Sequence, residues 1–246
     1  MKSSILTQTK SFLTKGLMPA LLATVLLSLA AGSSVGGEKG NAGNPGIAPP
    51  NSHAYGMSLA EWLTTYWEWT YTTGAGPAQS TVGHVKLMPL PVSEQISGSW
   101  TPEDPALLKG KLEITLPAGT PFVLPLFAWV TERYNNGTPD DVSLANTVAL
   151  GGAHPVLTID GKTVISDANK AAFYIPPTPF DPIIVYPTPS SYGSIAALSF
   201  QGIGVVGHPL SVGRHVIHLY EPLIYPSLGL GLIYDNTWIV TVKASH

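Results

Sequence analysis

The sequence predicts a mainly β fold, an antiparallel sandwich of short strands with one amphipathic helix near the start of its folded part. Three observations carry that reading. The chain holds 25 Gly and 23 Pro in 246 residues, a share that favours many turns over long helices. Several runs alternate apolar and polar residues with period two and are bounded by Gly, Pro or Asn. Against them stands one segment, Ser58 to Tyr71, where apolar residues recur with helical period and three of the six Trp are concentrated.

In chain order, Lys2, Lys10 and Lys15 precede the apolar run Leu17 to Ala30, and small residues follow. That is the pattern of a secretory signal peptide over residues 1–31, cut after Ala30 or Ala31. The run is short for the ~20 residues that a spanning helix needs, so no transmembrane segment is expected once the signal is removed. The sequence has no Cys, which excludes disulfides, thiol nucleophiles and a lipid-bearing Cys after the signal. Exported bacterial proteins often do without disulfides, and a secreted or periplasmic bacterial protein is the expected setting. Residues 32–52, rich in Gly, Pro, Ser and Asn, bury too little to offset the entropy of ordering and read as a flexible tether. Residues 53–246 then form a single domain.

The helix is expected over 58–72. Ser58 and Glu61 make a capping box, each side chain satisfying a backbone N–H that the first turn leaves unpaired. Leu59, Trp62, Leu63, Tyr66, Trp69 and Thr70 form one broad apolar stripe, with Glu61, Thr64, Thr65 and Glu68 opposite. Gly74 and Pro77 mark its end. The stripe reads as a large anchor into a core. At its edge, Trp67 and Tyr71 are candidates for a partly exposed aromatic platform that touches a ligand.

Lys111 to Leu116 alternates as a half-buried strand, and Pro117-Ala118-Gly119 turns it into Phe122 to Val130, which is buried on both faces or bent at Pro125. Val156–Ile159 and Lys162–Ile165 flank Asp160-Gly161, the pair that supplies the positive φ angles of a type I′ hairpin turn. Further strands are expected at Ile183–Tyr186, Ile195–Phe200, His215–Tyr220 and Trp238–Val242. No fixed period recurs, which excludes solenoids and propellers. The sandwich is thus of jelly-roll or immunoglobulin-like kind.

The helix carries a Tyr-Gly-x-Ser-x-x-Glu-Trp-x-x-x-Tyr-Trp-x-Trp pattern, from Tyr55 to Trp69. Leu116-Pro117-Ala118-Gly119, Ile159-Asp160-Gly161-Lys162 and Pro209-Leu210-Ser211-Val212-Gly213-Arg214-His215 follow in that order. In this the chain resembles an uncharacterised group of exported bacterial proteins with a Trp-rich N-terminal helix and a β-sandwich-like remainder. The resemblance implies a fold and export, and no activity. Members of that group tend to carry cysteines, which this chain lacks.

Net charge is −3 with no basic stripe, which argues against a nucleic-acid partner. Glu61 and Glu68 lie two helical turns apart, ~10 Å, near or beyond the carboxylate spacing of an inverting glycosidase, on the face where solvated carboxylates belong. Glu132, Asp140 and Asp141 cluster oxygen donors around a loop, in the manner of a Ca²⁺ site or of a solvated turn, without EF-hand spacing. His215 and His218 point to opposite faces of a strand, His215 sharing its face with Ile217, Leu219 and Glu221. With His208 and Asp235 they could meet only through the fold, so no metal site and no cofactor is expected. The late segments 221–235 and 173–182 are apolar yet broken by Pro and Gly, and read as loops folded over the core or as an exposed contact patch. Two functions follow. The first is an exported, non-catalytic binding protein whose ligand is a carbohydrate or a protein partner, bound by Trp67, Tyr71, Tyr225 and Tyr234. The second is a secreted glycosidase-like hydrolase using paired carboxylates among Glu61, Glu68, Glu132, Asp140 and Asp141.

Overall fold

The computed structural model describes residues 46–73 and 80–244. The expected signal peptide, most of the expected tether, and Gly74 and Pro77, which were expected to end the helix, lie outside the described residues. Eleven strands among them form two sheets. Sheet A has five strands in the order β1 (Thr81–Val82), β2 (Val85–Leu87), β5 (Phe122–Tyr134), β9 (Ser194–Gly207) and β8 (Tyr174–Val185). Sheet B has six: β3 (Ser93–Ser97), β4 (Ala106–Pro117), β11 (Leu230–Lys243), β10 (Gly213–Tyr225), β6 (Val156–Ile159) and β7 (Lys162–Ile165).

Helix α1 spans Leu59–Thr73 and starts where the capping box puts it. The Ser58 N–H donates to Glu61 Oε2 at 2.7 Å and the Glu61 N–H donates to Ser58 Oγ at 3.3 Å. Its buried residues are Leu59, Trp62, Leu63, Tyr66, Trp67 and Trp69. They pack on the face of sheet A formed by β8, β9 and β5. The approach is close: a Cβ on Gly204 of β9 would meet Leu63 Cδ2 at 2.5 Å. Two anchored polar atoms fix the helix further, Trp62 Nε1 donating to Ala54 O and Tyr66 Oη to Met88 O, each at 2.8 Å.

The opposite face of sheet A packs on sheet B, where Phe127 meets the Tyr225 ring at 6.2 Å. Sheet A is therefore the middle of three layers, which is why Phe122 to Phe127 of β5 and Phe200 to Gly207 of β9 are buried on both faces. Sheet B has one solvated face, and β4 alternates accordingly. One contiguous apolar core joins helix and both sheets.

Four features differ from the sequence expectation. The ladders are not all antiparallel, since β2 pairs with β5, and β4 with β11, in parallel. The Pro117-Ala118-Gly119 turn does not close a hairpin; it carries the chain from sheet B to sheet A, freeing β4 to receive β11. A second, short helix, α2 (Asn146–Gly152), follows β5. The expected tether stops short of residue 52, because Ile47 and Ala48 are buried. Ile47 bridges to Gly207 and the Ala48 N–H donates to Val206 O at 2.8 Å, using the edge of β9 that β8 leaves unpaired beyond Ile203.

The hairpin β6–β7 turns at Asp160 (φ 51°) and Gly161 (φ 76°), the positive pair of a type I′ turn. Edge strand β8 carries Pro176, Pro177, Pro179 and Pro182, which withhold N–H donors from any added strand.

Candidate functional site

The polar face of α1 is the wall of an open groove of about 410 Å³, lined by Met57, Ala60, Glu61, Thr64, Thr65 and Glu68, with Thr178 of β8 opposite. The buried aromatic stripe sets this face by subtraction: with the Trp side held in the core, the Glu and Thr positions must look outward. The two carboxylates are not equivalent. Glu61 Oε2 accepts from both the Ser58 N–H and the Ser58 hydroxyl at 2.7 Å. The backbone bond first, then the hydroxyl, hold the Glu61 carboxyl below its ordinary value. A carboxylate kept ionised in this way is a poor general acid. Thr64 Oγ1 donates back to Ala60 O at 2.9 Å.

At one end of α1 lies a second polar group, ringed by tyrosines. Glu132 of β5 is 4% exposed. It accepts from Tyr186 Oη at 2.6 Å and from Tyr192 Oη at 3.1 Å. Tyr71 stacks on Tyr186 with ring centroids 5.2 Å apart, and Trp67 leans on Tyr71 at 6.0 Å. Burial first, then the Glu132 carboxylate, push the Tyr71 phenol well above its ordinary range. Asp141 accepts from the Glu132 N–H and from Tyr134 Oη, both at 3.1 Å. Asp140 pairs with Arg133 Nε at 3.1 Å. The acidic loop thus spends its oxygens on its own strand.

A Ser, a His and an Asp also come together. His215 Nδ1 is 2.7 Å from Asp160 Oδ2, and His215 Nε2 is 3.3 Å from Ser211 Oγ. The spacing is that of a triad, but the hydrogens are not. His215 Nε2 lies closer, at 2.8 Å, to the Ser211 carbonyl, which can only accept. Burial alone would lower the imidazole pKa, yet the Asp160 and Ser211 bonds outweigh it and raise it. A ring that donates from both nitrogens has no lone pair for a serine proton, so this is a clamp between two turns.

The other sequence candidates separate. Trp67, at 3% exposure, and Tyr225, at 2%, offer no platform, and Tyr71 and Tyr234 are half-buried. Segment 221–235 is not loop. It is the β10–β11 hairpin around a 3-10 turn, Pro226–Leu228, and puts Tyr225 and Tyr234 on the face turned toward sheet A, with Tyr234 opposite Glu221. Segment 173–182 is likewise mostly edge strand β8. Pro222 is tolerated because β6 ends at Val156, opposite Tyr220, before Pro222 is reached. His218 pairs with Asp235 at 2.8 Å, Asp235 with Lys109 at 3.1 Å, and His208 with Tyr55 at 3.0 Å. Among the described residues no three His, Asp or Glu side chains converge as a metal site would require.

Sequence reasoning passed over Glu221. Its alternation with His215, Ile217 and Leu219 was the available signal, and the structure places it at 0% exposure in the sandwich interior. Compared with known proteins, the chain matches no family model and no curated protein sequence.

Proposed function

We propose that the protein is exported and acts as a non-catalytic binding module, taking a polyhydroxylated carbohydrate in the groove between α1 and β8. The observation that carries this is the groove itself: carboxylates and threonine hydroxyls beside the apolar Met57 and Ala60, on a helix whose other face is locked into the core. Sugars offer dense hydroxyls with apolar C–H faces, and a shallow polar groove with small apolar patches complements both. A rigid helix adds little ordering cost on binding. The charged n-region and apolar run of residues 1–31 support export, as does the resemblance to exported bacterial proteins.

One feature favours the hydrolase as a second reading: Glu61 and Glu68 share this groove. The capping role of Glu61 weighs against it.

The test is a glycan array with the secreted protein, followed by calorimetry on a retained glycan. Glu68→Gln should weaken binding about tenfold or more, as expected for loss of a charge-assisted hydrogen bond, with the melting temperature unchanged. Retention of no glycan, or of a protein instead, would remove the carbohydrate reading. Cleavage of the glycan that Glu68→Gln abolishes would replace it with the hydrolase.

A further inference from the structure

Five side chains from five separate elements donate hydrogen bonds to a single segment. Trp129 Nε1 of β5 donates to Val142 O at 3.2 Å, and Gln201 Nε2 of β9 to Leu144 O at 3.1 Å. Tyr174 Oη of β8 donates to Asn146 Oδ1 at 2.9 Å, and Tyr225 Oη of β10 to Ala149 O at 3.1 Å. Lys170 Nζ, from the 3-10 turn Lys170–Phe173, donates to Ala153 O. The segment, residues 142–153, contains α2 and meets the β10 backbone at its far end, where Ala153 bridges to Leu223 and the His154 N–H donates to Pro222 O at 2.9 Å. It is a strap held by side chains.

Glu221 lies directly before that anchoring point. Its carboxyl is fully buried, and neither oxygen has a hydrogen-bond partner. From the facing sheet, Gln201 Oε1 is buried and unpartnered as well. The ionisable groups around Glu221 are Lys170 from the 3-10 turn, Tyr225 on its own strand and Tyr234 on β11, with Tyr174 of β8 beside Tyr225. Lys170 Nζ is already committed to Ala153 O and to Asp167 at 2.6 Å, and Asp167 also meets His154 Nδ1 at 3.1 Å. Burial therefore dominates, and against the pull of Lys170 it raises the Glu221 carboxyl well above its ordinary value.

We propose that residues 142–153 form a pH-responsive strap, closed over Glu221 while that carboxyl is neutral and lifted from the end of the sandwich when it ionises. A buried carboxylate without donors is costly, and hydration relieves it. Lifting the strap hydrates it while leaving the ladders of both sheets intact, so this route opens before global unfolding does. Lys170 couples the two events, since an ionised Glu221 competes with Ala153 O for its ammonium. The sign is fixed by linkage. The closed state holds the proton more tightly than the open one, so below the ordinary carboxyl value of 4.5 pH has no effect. Above it, the open fraction grows about tenfold per pH unit until the closed-state value is passed.

Hydrogen exchange of the intact protein between pH 5 and 8, corrected for the intrinsic pH dependence of amide exchange, reads this directly. Amides of α2, such as Val148 and Ala149, should open more as pH rises, by about tenfold per unit over part of the range, while those of β9 hold. Glu221→Gln should flatten the profile. His154→Gln should leave it, which separates Glu221 from the exposed His154–Asp167 pair. Tyr225→Phe, which removes one latch and no charge, should raise opening by one constant factor at every pH. A flat parent profile overturns the proposal, as does an equal response in β9, an unchanged slope in Glu221→Gln, or loss of the slope in His154→Gln. Should Glu221→Gln fail to fold, the parent profile and the other two variants still decide.

Discussion

His215 Nδ1 and Asp160 Oδ2 lie 2.7 Å apart and tie the β6–β7 turn to the first residues of β10. The same Asp160 takes the Val216 N–H at 2.9 Å, so one carboxylate holds both a side chain and a backbone across the junction. Burial would raise the Asp160 pKa, but the bonds from His215 and Val216 overcome it and lower the value. His215 is raised in return. The His215 contribution to stability is thus complete below the unfolded imidazole value of 6.5 and is lost as pH rises through the higher folded value. The Asp160 contribution is complete above 3.8 and is lost as pH falls through the lower folded value. An NMR titration should put the His215 midpoint above that of a free imidazole, and Asp160→Asn should bring it down. A midpoint that Asp160→Asn leaves in place would show that the pair is not a clamp.

The tryptophan stripe is expected to be the mechanical base of the groove. Trp62 is 2% exposed and donates its indole N–H to Ala54 O. Trp62→Ala removes the ring and that bond together and should cost about 3–5 kcal/mol in urea unfolding. A loss under about 1 kcal/mol, the scale of an exposed substitution, would place the ring outside the core.

Glu132 tests whether the tyrosine ring around it is a stabilising network. Tyr186 is the shorter of its phenol partners, at 2.6 Å, and its ring also stacks on Tyr71. Tyr186→Phe keeps the stack and removes the donor, leaving a buried carboxylate one partner short. The expected cost is about 1–3 kcal/mol. Glu132→Gln should cost less in the Tyr186→Phe background than alone, because the double variant no longer strands a charge. Strict additivity between the two would mean that the groups do not act together.

What could be read from the sequence was chemistry that closes within a few residues. The Ser58–Glu61 box and the Asp160-Gly161 turn each specify their geometry through neighbours three or fewer positions away, and both formed as expected. The aromatic stripe pointed to a buried face because helical period alone sets which residues share a side. What stayed hidden depends on partners far along the chain. Pro117-Ala118-Gly119 has the composition of a hairpin turn, and only the later arrival of β11 beside β4 decides that it crosses between sheets. The segment Asn146–Gly152 is Gly-rich and lacks a side-chain cap, so no local signal announces α2; Tyr225 and Tyr174 hold it from strands 76 and 28 residues away. Tyr225 and Tyr234 were expected in loops because Pro and Gly interrupt their segment, and the long β10–β11 ladder overrides those breaks. The groove residues were visible as the polar face of a helix, but its far wall, Thr178, comes from an edge strand whose place in the sheet is set by β9.

Adjacent glycines in α2 offer a test in which sequence-level reasoning and structure give opposite answers. Helix propensity alone favours Ala over Gly at both Gly151 and Gly152, by about 0.5–1 kcal/mol each. At Gly151 a Cβ would meet nothing within 4 Å, so the propensity gain should survive and Gly151→Ala should stabilise by about that amount. At Gly152 a Cβ would sit 2.2 Å from the Tyr225 ring and 2.7 Å from the Ile224 carbonyl. The ring cannot swing aside without giving up its bond to Ala149 O, and the carbonyl belongs to the β10 backbone. Gly152→Ala should therefore destabilise by about 1–3 kcal/mol, the usual cost of overpacking. Urea midpoints that move in opposite directions for the two variants would confirm that α2 is seated against Tyr225, and a stabilising Gly152→Ala would show that it is not.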